Sequence, residues 1–191
     1  DTIVLRNIPA GRAGARLAQK LYRRGEYAAA AETYLKAAKG APRDIALNFK
    51  FNAAVSLFKA GEFVAAKALF NDLSRQADES EIEQIERALG LAAYNSAQAL
   101  DPNQPENLAT RSELLHEASE AFRRASRSSA QDEDARNNLA IALDEYRAAE
   151  SDAHIAALME KYQAQNPGQL AAEMLSKQRQ ILKDLAAANT N

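Results

Sequence analysis

Hydrophobic residues recur at helical spacing along most of this chain, and one pattern of them occurs twice. The stretch from Tyr22 to Ala30 runs aromatic, basic, glycine, acidic, aromatic and alanine, and the stretch from Phe58 to Ala66 keeps that order. The two glycines, Gly25 and Gly61, are 36 residues apart. Self-similarity at such a period is typical of stacked helical repeats. The pattern therefore predicts an all-α protein built from helical hairpins.

Each glycine is predicted to end one helix and to open the turn to the next. Apolar residues lie at helical spacing ahead of both glycines: Leu17, Ala18 and Leu21 in the first copy, Ala53, Ala54 and Leu57 in the second. Glycine readily adopts the left-handed backbone that closes a helix. Further on, Pro42 is expected to stop the second helix and Asp44 to cap the third.

These positions resemble the tetratricopeptide repeat (TPR) family, whose repeat is about 34 residues long. Counted from Gly11, the first copy fits the family pattern at Leu17, Ala18, Leu21, Gly25, Tyr27, Ala30, Tyr34, Ala37 and Pro42. The second copy, counted from Leu47, departs at Asp78, where the family has proline. Both copies depart at the fourth place, often Trp in the family, which is Gly14 and Lys50 here. The resemblance implies a right-handed α-solenoid of TPR-like helix-turn-helix repeats with a C-terminal capping helix.

The resemblance also divides the chain. We expect an extended segment at 1–10, repeats at 11–44, 47–78, 83–130 and, in part, 133–150, and a degenerate helix plus capping helix at 151–191. The third repeat carries an insertion near 98–114, some of which is expected to lengthen its helices. Capping boxes at Ser80 and Thr110 predict helix starts. A helix over about 152–165 should precede a last helix that begins at Pro167, with Asn166 as its cap, and ends near Ala188.

The amino-acid composition excludes several classes of function. The chain has 24 Lys and Arg against 26 Asp and Glu, a net charge of -2, which argues against a nucleic-acid partner. It has no cysteine, and its two histidines, His116 and His154, are isolated from one another. We therefore predict no enzyme activity, no metal and no cofactor. No apolar run approaches the roughly 20 residues of a transmembrane helix, so no transmembrane segment is expected.

Charge and context suggest where the protein works. Residues 1–75 carry a balance of +7 and residues 76–191 a balance of -9, a polarity that can steer an acidic partner or favour head-to-tail self-association. Because the chain starts at Asp1 without Met, we expect a removed leader or a trimmed fragment. We favour a periplasmic or otherwise extracytoplasmic bacterial location. The stretch 132–143 also resembles the end of the repeat region in bacterial Bat-type aerotolerance proteins.

In the TPR family, the first helix of each pair lines a concave groove that binds partners. Carried onto this chain, the groove places hold aromatic and basic side chains: Arg12, Tyr22, Arg23, Phe51, Phe58, Lys59, Arg87 and Tyr94. Aromatic and arginine anchors are typical of binding hot spots. The resemblance therefore implies a non-catalytic adaptor that binds a peptide or protein in the groove. Replacing Phe51 and Arg87 by alanine should weaken binding and leave helicity intact.

Other interpretations stay open. The C-terminal helices or the 1–10 segment, whose apolar residues 2–5 need cover, can fold back and fill the groove. The last helix or the oppositely charged halves can instead build a homo-oligomer or a subunit of a bacterial envelope complex. A TPR clamp for C-terminal carboxylates is not expected, because only Asn52 matches the residues that such clamps use.

Overall fold

The computed structural model describes residues 3–6, 13–128, 133–164 and 167–188, and every regular element in these ranges is an α-helix. The helices are α1 (Ala13–Arg23), α2 (Tyr27–Ala38), α3 (Arg43–Lys59), α4 (Phe63–Ser74), α5 (Glu79–Gln98), α6 (Pro105–Ser128), α7 (Glu133–Gln163) and α8 (Pro167–Ala188). The predicted all-α class is confirmed. The chain forms two compact units, Asp1–Glu150 and Ser151–Asn191, and their boundary falls within α7.

The first two hairpins close with the same glycine turn. Gly25 and Gly61 have φ values of 78° and 82°. In the first hairpin, the N–H of Gly25 donates to the carbonyl of Tyr22 at 3.0 Å, and the N–H of Glu26 donates to that of Leu21 at 3.0 Å. The same two bonds close the second hairpin, at 3.1 and 3.0 Å. This is the Schellman ending, which confirms the left-handed turn that the sequence predicted.

Within the first unit, each helix from α1 to α6 packs on the next. Aromatic rings meet across these contacts: the centroids of Tyr34 and Phe49 are 6.2 Å apart, and those of Phe51 and Phe70 are 5.6 Å apart. Small residues hold the backbones close, because a Cβ at Gly90 of α5 would lie only 2.6 Å from the ring of Phe122 in α6. Burying each large side chain contributes about 1.5–3 kcal/mol to stability.

The helix boundaries correct several predictions. Thr110 lies inside α6, which already begins at Pro105, since proline fits the first turn of a helix. Likewise, α5 begins at Glu79 after Asp78, so Ser80 lies within its first turn. Pro42 occupies the N-cap position of α3 rather than the end of α2, which stops at Ala38. The inserted residues lengthen α5 and α6 to 20 and 24 residues, as expected in part.

A single helix replaces the two that were predicted over 133–165. α7 runs unbroken for 31 residues, because its sequence contains neither glycine nor proline to interrupt it. The last helix, α8, spans Pro167–Ala188 as predicted, while the proposed cap Asn166 lies outside the described residues. In the second unit, Glu173 of α8 forms two ion pairs. Its Oε1 lies 3.2 Å from the Nζ of Lys161 in α7 and 3.2 Å from the Nζ of Lys177 in α8.

Candidate functional site

The N-terminal segment, Ile3–Arg6, lies against α3 and α5. Its backbone is held by Asn52 of α3, whose side-chain oxygen accepts from the N–H of Arg6 at 2.7 Å and whose nitrogen donates to the Arg6 carbonyl at 2.9 Å. Asn52 is buried, so both ends of its amide need partners inside the protein. The extended segment supplies both of these partners.

The Arg6 side chain enters a shaped polar site between the two helices. Its Nη1 donates to Glu81 at 2.6 Å and to Asn48 at 3.3 Å, and its Nε donates to Gln84 at 3.1 Å. The guanidinium carbon lies 4.2 Å from the centre of the Phe51 ring, a cation–π contact. We call the five residues that hold Arg6 the Arg6 site: Asn48, Phe51, Asn52, Glu81 and Gln84.

Burial and charge act on Arg6 in opposite directions. Loss of water lowers the pKa of the Arg6 guanidinium, while the charge of Glu81 and its hydrogen bond raise it. Nη2 is buried without a hydrogen-bond partner among the described residues. The arginine therefore keeps its charge through Glu81 and the Phe51 ring, because an unpaired buried cation would be costly.

The rest of the segment alternates between buried and exposed side chains. Ile3 is only 6% exposed and joins the core cluster that contains Val55 and Leu89, and Leu5 packs at its edge. Val4 between them is 65% exposed. Two aliphatic side chains and one arginine thus anchor the segment.

Phe51 corrects the predicted site. It was expected on an open groove surface, yet its side chain is fully buried, packed edge-on against Phe70 and covered by Arg6. The N-terminal segment provides the cover that the sequence could not assign, so the chain itself fills this part of the surface. Replacing Phe51 by alanine would therefore open a core cavity as well as alter the site.

Beyond the segment, the same helices line a cleft that remains open. The open cleft has a volume of about 390 Å³ and is lined by Phe58, Leu91, Tyr94, Asn95, Phe122, Asn138 and Ile141. A smaller cavity of about 70 Å³ lies beside Ile3 and Val4, with Arg87 in its wall. Leu91 lines both, so the segment and the open cleft share one continuous surface.

Tyr94 forms a fixed wall of the open cleft. Its hydroxyl donates to Glu145 of α7, which also accepts from Gln98 and, at 3.2 Å, from Arg111. Loss of water together with this carboxylate raises the pKa of Tyr94 to about 12. The tyrosine is therefore neutral at physiological pH, and its hydroxyl proton is committed to Glu145.

The structure brings together part of the predicted set. Phe58, Arg87 and Tyr94 lie on the surface just described. Tyr22 packs at the edge of the neighbouring core cluster. The predicted basic pair, Arg23 and Lys59, has exposed side chains that line neither cavity. Arg12 lies outside the described residues.

Tyr22 and Phe58 also serve their own hairpins. The ring of Tyr22 meets that of Tyr27 at 5.1 Å, and the ring of Phe58 meets that of Phe63 at 5.3 Å, both edge to face. Each pair bridges the glycine turn from the last turn of one helix to the start of the next. These two aromatics therefore contribute to the packing of their own hairpins.

Sequence reasoning missed the residues that make the site polar. The only sign in the sequence that Arg6 is buried is the run of three aliphatic residues before it. Asn52 was noticed only because it matches one position of the TPR carboxylate clamp. Glu81 lies in the first turn of α5, where a carboxylate is sufficiently explained by the helix dipole. No pattern in the sequence paired these three residues.

Metal-binding and membrane-spanning features are not found in the part of the chain that the structure describes. Among the described residues, no group of acidic and histidine side chains is arranged to hold a metal ion. Within the same ranges, none of the helices has the length and apolar character to cross a bilayer. The chain matches no family model, no curated protein and no solved structure.

Proposed function

We propose that this chain is a TPR-like interaction module without catalytic activity, which binds an extended peptide segment of a partner protein in the open cleft. Its hairpins would stack as a right-handed α-solenoid. One observation carries the proposal: a non-helical segment, residues 3–6, already lies on the surface beside the cleft, held through its backbone by Asn52. The partner's segment would continue along that surface.

Repetition of the hairpin geometry supports the TPR-like architecture. The two glycine turns share their hydrogen bonds, and the aromatic pairs across them share an edge-to-face arrangement, with interplanar angles of 68° and 63°. Equivalent positions 36 residues apart therefore have equivalent surroundings. That equivalence is typical of repeat proteins, in which each unit packs mainly on its neighbours.

The chemistry of the cleft suits a peptide. Its walls are apolar and aromatic, with the amides of Asn95 and Asn138 and the hydroxyl of Tyr94 placed among them. Such walls bury ligand side chains, while a few polar groups fix orientation. Ile141 is half-exposed at the rim, where a bound segment would cover it.

A peptide-display selection tests the proposal, because it needs no identified partner. Random peptides enriched on the wild-type chain should bind Ile141→Asp at least about tenfold more weakly, since a charge there opposes apolar burial. Val64→Asp is the control, because Val64 is an exposed aliphatic residue of α4 that does not line the open cleft. Failure to enrich any peptide, or equal loss with both variants, would contradict the proposal.

Self-association through the second unit is a second candidate. Ile155, Met159 and Tyr162 follow one another at helical spacing on α7 and line an exposed apolar groove of about 390 Å³. An apolar helix stripe of this kind is typical of helix–helix contacts. Sedimentation of Met159→Asp against the wild type tests it: a dimer should become a monomer, and salt should have little effect. A wild-type monomer at high concentration rules it out.

A further inference from the structure

We infer that the Arg6 site is a recognition site for an extended segment with an arginine three residues after an aliphatic residue, and that Ile3–Arg6 is its built-in occupant. A partner segment of the same chemistry would have to displace it. This inference rests on the proposed function, since it names the ligand chemistry for the covered part of the same surface. The structure shows the contacts that Ile3–Arg6 makes in the site, so the groups that a partner segment would need can be named.

Two kinds of contact hold the segment. Asn52 binds only backbone atoms of the segment, through bonds of 2.7 and 2.9 Å, and so does not select its side chains. The side chains of Ile3 and Arg6 enter a core cluster and a polar site, respectively. Because Val4 is 65% exposed and Leu5 packs only at the edge of the core cluster, selectivity falls mainly on Ile3 and Arg6.

The polar anchor discriminates arginine from lysine. Gln84 accepts from Nε and Glu81 accepts from Nη1, so two different nitrogens of one planar group are used. The face of that group lies over the Phe51 ring. A lysine ammonium has one nitrogen and no flat face, so it cannot reproduce these contacts together.

The way the segment is bound makes it exchangeable. It adds no strand to a sheet and no turn to a helix: two backbone hydrogen bonds, the side chains of Ile3 and Leu5, and one arginine secure it. Burial of Arg6 leaves Nη2 without a hydrogen-bond partner among the described residues, which offsets part of the gain. A partner that also filled the open cleft would add contacts that the chain's own segment does not make.

Binding of a labelled peptide with the sequence of residues 1–7 to the full chain tests the inference. The peptide should bind the Arg6→Ala chain at least about tenfold more tightly than the wild type, because the competing segment is weakened. Val64→Asp is the control and should bind the peptide as the wild type does, since Val64 is 68% exposed on α4 and lines neither cavity. Peptides with alanine or lysine in place of the arginine should bind the Arg6→Ala chain at least about tenfold more weakly.

Substitutions in the site itself separate recognition from a general loosening. In the Arg6→Ala chain, adding Glu81→Gln should reduce peptide affinity at least about tenfold, whereas Glu79→Gln, which removes a carboxylate from the same helix turn, should not. Circular dichroism checks that each variant folds. If Arg6→Ala does not fold, hydrogen exchange of the wild-type chain serves instead: excess peptide should accelerate exchange at the chain's own Arg6 amide.

Several outcomes would overturn the inference. Equal peptide affinity for the wild-type and Arg6→Ala chains would show that the segment does not compete. If peptides with alanine or lysine bound as tightly as the peptide with arginine, the site would not select arginine. A wild-type dimer that becomes monomeric with Arg6→Ala would mean that the segment is exchanged between copies rather than held by its own chain. None of these results affects the Ile141 test, so failure here is distinguishable from failure of the open-cleft proposal.

Discussion

Asn52 binds Arg6 through both ends of its side-chain amide, accepting from the Arg6 N–H at 2.7 Å and donating to the Arg6 carbonyl at 2.9 Å. The two residues are 46 positions apart in the chain. A buried amide on α3 therefore takes the place that a neighbouring strand would have beside an extended segment. Breaking the contact between Asn52 and Arg6 should therefore both destabilise the first unit and release the N-terminal segment from its surface.

Replacing Asn52 by alanine should loosen the segment and weaken the fold. Both backbone groups of Arg6 lose their partner, so we expect the free energy of unfolding to fall by about 1–3 kcal/mol. Denaturant unfolding measures this fall, and hydrogen exchange should show faster exchange at the Arg6 amide. Asn71→Ala, an exposed change on α4, is the control and should leave both unchanged. An unaffected Arg6 amide would show that Asn52 does not hold the segment.

The two turn glycines should resist substitution where a third does not. Gly25→Ala and Gly61→Ala place a side chain at φ values of 78° and 82°, and each should cost about 1–2 kcal/mol of unfolding free energy. Gly40→Ala is the control, because Gly40 has ordinary backbone geometry and no atom near its missing Cβ. Thermal unfolding of the three variants checks the prediction, and equal melting temperatures would contradict it.

Gly90 should be sensitive for a steric reason. A Cβ there would lie 2.6 Å from the Phe122 ring, which a packed aromatic cannot easily avoid. We expect Gly90→Ala to lower the free energy of unfolding by about 1–3 kcal/mol. The double variant with Phe122→Leu should recover part of the loss in a double-mutant cycle. Strictly additive losses would mean that the two helices are not held together at this contact.

Stability should decline at alkaline pH because of Tyr94. Its folded pKa of about 12 exceeds the ordinary value near 10, so the folded state holds this proton more tightly than the unfolded chain does. The contribution is complete below about pH 10 and is lost as the pH rises toward about 12. Tyr94→Phe should make the fall in stability over this interval shallower in denaturant unfolding.

A second variant isolates the cause of that shift. Glu145→Gln removes the carboxylate that accepts the Tyr94 hydroxyl, so the pKa of Tyr94 should move back toward its ordinary value. Ultraviolet titration of tyrosinate, with Tyr94→Phe as the reference for assignment, measures the change. A titration curve that Glu145→Gln does not alter would show that burial alone raises the pKa.

The candidate site was only half accessible to sequence reasoning. Phe58, Arg87 and Tyr94 were placed on the binding surface through the resemblance to TPR repeats, whose groove places they occupy. Phe51 occupies another of these places but is buried, since a position in the repeat pattern does not say what covers the side chain. Glu145 became part of the site only because α7 brings it beside Tyr94.

The sequence by itself determined the helical hairpins and their glycine turns, because helical spacing and a left-handed glycine depend on residues only a few positions apart. Tertiary structure alone decided that Ile3–Arg6 covers Phe51, that Glu81 and Asn52 converge on Arg6, and that the surface beyond Leu91 stays open. These outcomes join residues 46 and 75 positions apart. Such contacts follow from how the helices pack on one another, and no local pattern encodes that packing.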